Sequence, residues 1–591
     1  MRVRRSGKGP ESWDGRAVIN EAVGSVLPAS DRKFVTGFLC ALLKDCFFSL
    51  IWYRHDSRWC WLGVTNDWWR KTTERARMTL DDQDVLAFGL NQIVKGAGIT
   101  FFGMISGRVL VFAAKLIIGN KLGPDEFGIF NIGLSFIVIL TFVTLGGIYE
   151  GVPSFVSNYR AKEEWRAIKD VLFTSVTFVL LSGVLAGGVV FVFSRTISVD
   201  LFHDERYVPV FKIAAIGFPL FALAQVLLSC LRGFKSMKGM VISRNLCGDM
   251  GLVLGLLLVS LFGFSLLTGL GCFLVKYTLI IIVATYFLVR HHLRSLSGFF
   301  QSYRARISWS LLRFSIPLTG ALAFETVTLY METLLLGYFI SSDAVGLFSS
   351  AFILASLLLI VGACFRAILL PVIAEMIAGN KGEAVQKVYQ SVNKWIIFIL
   401  APPLMLLVFF PGVIVSLFFG SAYEEAYFAF QILGVSYFIH TWAGNWSVLV
   451  YALQKPKIDL WVKLVGMIAS IGLNLTLIPA LGLTGAVFAH GGALILMDVL
   501  GMIVMHRHIG SFLPVRNVAR VVSLSFVFVL AFYFVARDTL LANTSWFLTM
   551  ILFGGVVIPN YVLAVKLVGM DSYERMIMDR MRWRLLPKFL R

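Results

Sequence analysis

From about residue 97 onward, apolar runs of roughly 18 to 25 residues alternate with short polar breaks. Each run is long enough to cross a hydrocarbon core of about 30 Å. No water is available there to satisfy backbone N–H and C=O groups, so runs of this kind must be helices. A sliding apolar window places about fourteen spans. They are 97–119, 126–148, 169–193, 210–230, 240–262, 266–289, 314–339, 345–372, 394–418, 427–449, 459–479, 484–504, 520–537 and 544–566. The pattern predicts an all-α polytopic membrane protein.

One fifteen-residue stretch occurs twice within this pattern. LIIGNKLGPDEFGIF (Leu116 to Phe130) recurs as LLLGYFISSDAVGLF (Leu334 to Phe348), with no gap and a constant offset. Gly119 answers to Gly337, Asp125 to Asp343, Gly128 to Gly346 and Phe130 to Phe348. In both copies an apolar helix ends, a polar turn follows and another apolar helix begins. The duplication predicts two pseudo-symmetric six-helix lobes, spans 1–6 and 7–12, followed by an extra pair, 13–14. Transporters commonly bind cargo between such repeats.

Composition agrees: 58% of residues are hydrophobic and the mean hydropathy is +0.80. The formal charge is +19, from 53 basic and 34 acidic residues. Its placement argues against nucleic acid as the partner. Arg160, Lys162 and Arg166, then Arg232, Lys235 and Lys238, then Arg290 to Arg306, Lys455 and Lys457, and Arg575 to Lys588 all fall in alternate loops. This is the positive-inside pattern, which puts both termini in the cytoplasm of a cell-membrane protein and requires an even number of spans. The excess charge also suits anionic membrane lipids. The seven cysteines show no metal-like or disulfide-like spacing, and no cofactor motif is present.

Residues 1–87 form a basic, Trp-rich extension. Its one apolar stretch, Phe34 to Tyr53, is interrupted by Lys44 and Asp45. It reads either as an interfacial segment or as sequence upstream of a natural start at Met78. Beyond it the expected divisions are an N-lobe (88–293), a C-lobe (294–505), spans 13–14 (506–566) and a basic tail (567–591). The joining loop 290–313 is basic and amphipathic, as for a helix lying on the inner leaflet.

A charge at the bilayer centre costs roughly 2.5 to 3.5 kcal/mol on insertion scales, so it faces a cavity or a partner. Span 1 carries Arg108 and Lys115, seven apart and therefore on nearly one helix face. Span 7 carries Glu325 and Glu332 at the same spacing. Through the repeat these residues lie at nearly equal depth, so one lobe offers a basic stripe and the other an acidic one. A direct Arg108–Glu325 pair is one expectation from that register. Arg366 in span 8 is a further candidate for cargo contact. Asp249, amid glycines, and Lys276 in the next span are candidates for a mutual pair or for coupling to H+ or Na+. Lys463 and Lys212 sit near span ends, where they can snorkel. His440 and His490 read as hydrogen-bonded packing histidines, and Asn474 as a residue setting helix geometry.

LGPDEFGIFNIGLSF after the first span resembles the L-G-x-x-x-[FY]-G-x-[FY] element of the polysaccharide-transporter branch of the multidrug/oligosaccharidyl-lipid/polysaccharide exporter superfamily. SSDAVGLFSSAFILA resembles its second-half counterpart. YALQKPKIDL, with LNLTLIPALGLTGAVFAH, resembles that branch's tenth loop and twelfth-span entry. The resemblance covers about residues 80–566. It implies two six-helix lobes in a V, alternating access, and a flippase moving polyprenyl- or dolichyl-phosphate-linked oligosaccharide. For such cargo Arg108 is the leading phosphate contact, with Lys115 and Arg366 behind it and Glu325 and Glu332 on the facing wall. ISGRVLVF around Arg108 is similar to the S-R-x-x-G-F of lipid II flippases, with Val111 in place of the glycine.

Two other functions compete. A cation-coupled multidrug exporter would want an acidic or aromatic cavity rather than a basic stripe. An integral membrane glycosyltransferase or polymerase would want paired carboxylates on a large external loop. The external loops here are short, and Asp204–Glu205 and Glu424–Glu425 are adjacent residues that do not face one another on a helix. No enzyme activity is expected.

Overall fold

The computed structural model describes residues 52–55, 58–61, 82–145, 147–290, 306–378 and 382–509, with separate helical positions between 522 and 534 and at 555. The chain divides into two compact units, Met1–Val94 and Lys95–Arg591. In the first, strands β1 (Trp52–His55) and β2 (Arg58–Trp61) pair antiparallel, with Trp52 opposite Trp61. The rest of the expected interfacial stretch, most of the joining loop, span 14 apart from Gly555 and the tail lie outside the described residues.

The remainder is helical. α1 (Asp82–Leu145) holds spans 1 and 2 in one run, broken at Gly123, whose φ of 74° leaves the helical region. Glycine tolerates that angle, and the following Pro124 has no N–H to continue the ladder. Span 2 then passes a left-handed Gly147 into α2 (Ile148–Ala161). Next come α3 (Trp165–Val192), α4 (Tyr207–Gly233), α5 (Met237–Phe262) and α6 (Leu266–Leu288). Residues Ile242–Asp249 of α5 are wound as a π-helix. The C-lobe begins with α7 (Trp309–Phe339). Span 8, expected as one helix, is two: α8 (Ser342–Ala355) and α9 (Leu358–Ala378) meet at a 46° bend. Span 9 becomes α10 (Gly382–Phe409) and α11 (Pro411–Phe419), and span 10 becomes α12 (Tyr427–Ala443) and α13 (Trp446–Ala452). α14 (Pro456–Leu481) and α15 (Leu483–Ile509) complete the lobe. Among the described residues eight helices are long and apolar enough to cross a membrane, nine with the bent α8–α9 pair counted as one.

The apolar core shows how the lobes meet. One large cluster contains residues of both, with Ile118, Phe127 and Phe130 packed together with Leu336, Phe348, Phe419 and Tyr423. At the other end of the helices the core splits. An N-lobe cluster is built around Val152, Val156, Ile168 and Leu231, and the N-terminal end of α7 packs on it through Leu311, Leu312 and Phe314, the last edge-on to Phe155. A separate C-lobe cluster is built around Ile373, Tyr389, Trp446 and Leu449. The lobes are thus joined at the end carrying the two repeat turns. They have separate cores at the end carrying the basic loops of Lys162, Lys235 and Lys455.

Candidate functional site between the lobes

The roof of the interlobe region is the duplicated turn itself. A Cβ added at Gly128 would lie 1.7 Å from the Ser342 carbonyl oxygen, and one added at Gly346 would lie 1.9 Å from that of Pro124. Pro124 and Ser342 are equivalent positions in the two copies, so the contact is reciprocal. Gly119 packs on Phe419 and Tyr423 of the opposite lobe, and Gly337 on Ile132 and Phe202. Tyr423 donates to the Gly119 carbonyl at 2.8 Å, and Asn120 to that of Phe418 at 2.6 Å. Asp125 accepts from Ser342 across the seam and is clamped by Arg206, which also binds Asp204 at 2.8 Å. The two carboxylates hold the Arg206 guanidinium above its ordinary range, the bond to Asp125 contributing most.

Beneath this roof lies a cavity of about 20 Å³, room for one water molecule. Lys115, Asn131 and Ser135 line it from the N-lobe; Tyr330, Thr333, Ser349 and Phe352 line it from the C-lobe. Two turns away on α1, Arg108 is exposed, and its electrostatic neighbours, Tyr330, Cys364 and Arg366, all belong to the C-lobe. Arg108 is therefore within electrostatic reach of the other lobe. Arg366 folds back over Gly362, within electrostatic reach of Asp498 and Glu325.

The carboxylates in the spans are committed elsewhere. Glu325 does not pair with Arg108: its Oε2 lies 2.8 Å from Lys463 Nζ, which also binds Asp459 at 2.9 Å. Lys463 is accordingly an ion-pair partner, not a snorkelling residue. Glu332 is fully buried, with Oε1 3.1 Å from His490 Nδ1 and within reach of Ser470 (3.3 Å) and Asn474 (3.4 Å). His490 Nε2 in turn lies 2.9 Å from the Tyr437 hydroxyl, and His440 lies 2.9 Å from Asp498. Both histidines are thus hydrogen-bonded packing residues, as expected, with Tyr437, Glu332 and Asp498 as their partners. Lys276 Nζ lies 2.7 Å from Asp249 Oδ1, the partner expected from the neighbouring span, and stands over the Phe273 and Tyr277 rings. Gly107 leaves room for Asp249 Oδ2 on α1, while Asn245 on the π-helical turn donates to the Gly103 carbonyl.

The charge balance of the interlobe region follows from these pairings. Among the described residues no ion pair forms to Arg108, Lys115 or Arg366, whereas Glu325, Glu332, Asp249, Asp459 and Asp498 each have a basic partner. Sequence reasoning missed Asn131, Ser135 and Tyr330. The first two, four apart in an apolar span, form a polar stripe that a helical reading could have found.

A family model described as polysaccharide biosynthesis protein matches residues 114–427. The chain belongs to that family. A curated relative, an uncharacterized membrane protein of Methanocaldococcus jannaschii, is 20% identical over 405 residues, covering 66% of this chain and 80% of the relative. Among solved structures, the lipid II flippase MurJ in an inward closed conformation superposes with a TM-score of 0.61 at 14% identity, covering 80% of this chain and 98% of that one. An inward-facing MATE-family multidrug transporter of the MOP superfamily gives 0.58 at 13% identity, covering 68% and 94%. The polysaccharide family member thus has the fold of the exporter superfamily that its repeated motifs resemble, and is a multi-pass membrane protein.

Proposed function

We propose that this family member is a flippase for a lipid-linked oligosaccharide, working by alternating access in the cell membrane for surface polysaccharide or glycoconjugate assembly. The observation that carries the reading is the charge balance between the lobes: three cations without ion pairs, and carboxylates that each have a basic partner. A phosphate or pyrophosphate leaving water needs its hydration replaced by donors, and guanidinium does this bidentately. Arg108 and Arg366 meet it near the separated end, and Lys115 holds it as a compact charge beneath the roof. The asparagine, serine, threonine and tyrosine groups around Lys115 offer hydrogen bonds to sugar hydroxyls.

The positive-inside pattern supports both termini in the cytoplasm, and with them the end whose cores are separate. This conformation is then the cytoplasm-facing one, closed at the outer leaflet by the duplicated turn. Cargo that binds both lobes shifts the equilibrium toward states that enclose it. A multidrug exporter for cationic cargo fits less well, because Glu325 and Asp249 are each held by a lysine and Glu332 is buried against His490, while among the described residues Arg108, Lys115 and Arg366 have no carboxylate partner. A glycosyltransferase fits less well too, because the adjacent Asp204 and Glu205 are divided between Arg206 and Arg195.

The test is reconstitution of the full chain in vesicles with a fluorescent short-chain polyprenyl-pyrophosphate oligosaccharide, following its arrival in the opposite leaflet. The expected result is transport that depends on Arg108. Equal transport by the wild type and Arg108→Ala, both correctly inserted, or transport of cationic drugs alone, would overturn it.

A further inference from the structure

Span 1 of α1 meets α5 on glycines. Gly103 packs on Val241 and Asn245, and Gly107 on Asn245 and Asp249. The contact positions rise together along both helices, so the two run parallel. Asn245 also donates to the Gly103 carbonyl from the π-helical turn Ile242–Asp249. In parallel helices, the residue after a contact on one and the residue before a contact on the other project to the same side. Arg108 follows Gly107, and Arg244 precedes Asn245. Both are exposed. Gly107 is level with the middle of the Asn245–Asp249 stretch, so Arg244 sits roughly 6 Å, about one helical turn, nearer the basic-loop end than Arg108.

The electrostatic surroundings link the same two arginines. Arg108 is within reach of Tyr330 on α7, Tyr330 of Tyr277 on α6, and Tyr277 of Arg244, which also reaches Tyr149 on α2. The carboxylates beside these tyrosines are taken: Arg232 holds Glu150 at 2.9 Å and Lys276 holds Asp249 at 2.7 Å. Among the described residues no ion pair forms to Arg244. Arg366 differs, lying on the other lobe with Asp498 and Glu325 within reach. Two exposed guanidinium groups on one side of one helix contact, neither held by a carboxylate, suit two linked phosphates. We propose that Arg244 is a specificity-determining residue: with Arg108 it clamps a diphosphate, each guanidinium taking one phosphate, so cargo joined through pyrophosphate is preferred to cargo joined through a single phosphate. The inference rests on the flippase reading and adds to it a second head contact and the form of the link. Both arginines belong to the N-lobe, so their spacing survives whichever way the lobes open. Linked phosphates occur in lipid carriers and in soluble nucleoside diphosphate sugars, and the clamp's chemistry is the same for either.

Affinity is measured on the full chain in detergent by fluorescence anisotropy, with one short-chain fluorescent polyprenyl oligosaccharide joined either through pyrophosphate or through monophosphate. The wild type is expected to bind the pyrophosphate form about tenfold more tightly. Arg244→Gln weakens the pyrophosphate form about tenfold and so removes the preference, whereas Arg108→Ala weakens both forms. Arg244→Lys, which keeps the charge without the planar fork, falls between. Lys212→Gln removes an exposed N-lobe cation that lies over the Phe191 ring, and leaves both affinities unchanged. A wild type that binds both forms equally, or an Arg244→Gln protein that loses both equally, overturns the inference. Transport in vesicles separates it from the reading beneath it. Lipid transport with no preference between the links removes the clamp and leaves the flippase. Uptake of a nucleoside diphosphate sugar that Arg244→Gln abolishes, with no lipid transport, removes the flippase and leaves the clamp.

Discussion

Gly128 and Gly346, equivalent residues of the duplicated turn, each lie against the other copy's helix start, Gly128 on the Ser342 carbonyl and Gly346 on that of Pro124. Lipid gives no hydrophobic drive for one helix to meet another, so close backbone approach through small residues is what holds such a contact. A methyl group at either position would fall well inside van der Waals distance of a carbonyl oxygen. Gly128→Ala and Gly346→Ala are therefore expected to open the joined end. Spin labels at Lys121 and Ser341 would show the inter-lobe distance lengthening in both variants, and by a similar amount. Unchanged distances would mean that the seam does not control closure.

Asp125→Asn tests the polar part of the same seam. The variant keeps an acceptor for Ser342 but removes the charge that Arg206 binds. Arg206 is 54% exposed, so the pair is worth about 1 kcal/mol or less. The population of the closed state should fall by about fivefold at most. The same spin-label pair should show a smaller change than either glycine variant gives.

Arg108→Ala should weaken apparent affinity for an anionic lipid substrate by about 10- to 100-fold, the scale of a lost charged hydrogen bond. Arg108→Lys keeps the charge without the planar fork and should recover part of the loss. Transport titrations against the fluorescent lipid-linked sugar measure both.

Glu332 and Glu325 should differ in their structural importance. Glu332 is fully buried among His490, Ser470 and Asn474, so Glu332→Ala, which leaves these groups without their acceptor, should cost about 1 to 3 kcal/mol. Glu325 is half exposed, and Lys463 retains Asp459 when it is removed, so Glu325→Ala should cost about 1 kcal/mol or less. Unfolding midpoints in one detergent rank them; equal losses would contradict the burial argument.

Much of this architecture was legible in the residues, because hydrocarbon thickness and backbone polarity leave few choices. Every described span through the twelfth is helical where the apolar window put it. The repeat also pointed to the seam, since identical small residues at equivalent places are what a reciprocal close approach requires. Breaks within spans were not legible: the 46° bend after Ala355 and the split after Ala443 leave mean hydropathy untouched. Partner choice was only half legible. Asp249 and Lys276 lie in consecutive, adjacent helices, so their pairing follows from order alone. Glu325 instead found Lys463, 138 positions along the chain, because α7 packs on α14; register between the repeats had suggested Arg108. The result bears on function, since it is the diversion of Glu325 to its own lobe that leaves Arg108 without an ion pair.

A surface patch that touches its own copy is the form taken by two-fold homodimers, in which residue i meets j and j meets i. Six spans return a chain to the side from which it started, so two separate half-length chains could sit side by side in one bilayer with the same orientation and meet through this same glycine contact. The duplicated turn thus has the geometry of a two-fold dimer interface contained within one polypeptide. The two copies are not equivalent there: Ser342 gives Asp125 a hydrogen bond that Pro124, having no donor, cannot return to Asp343.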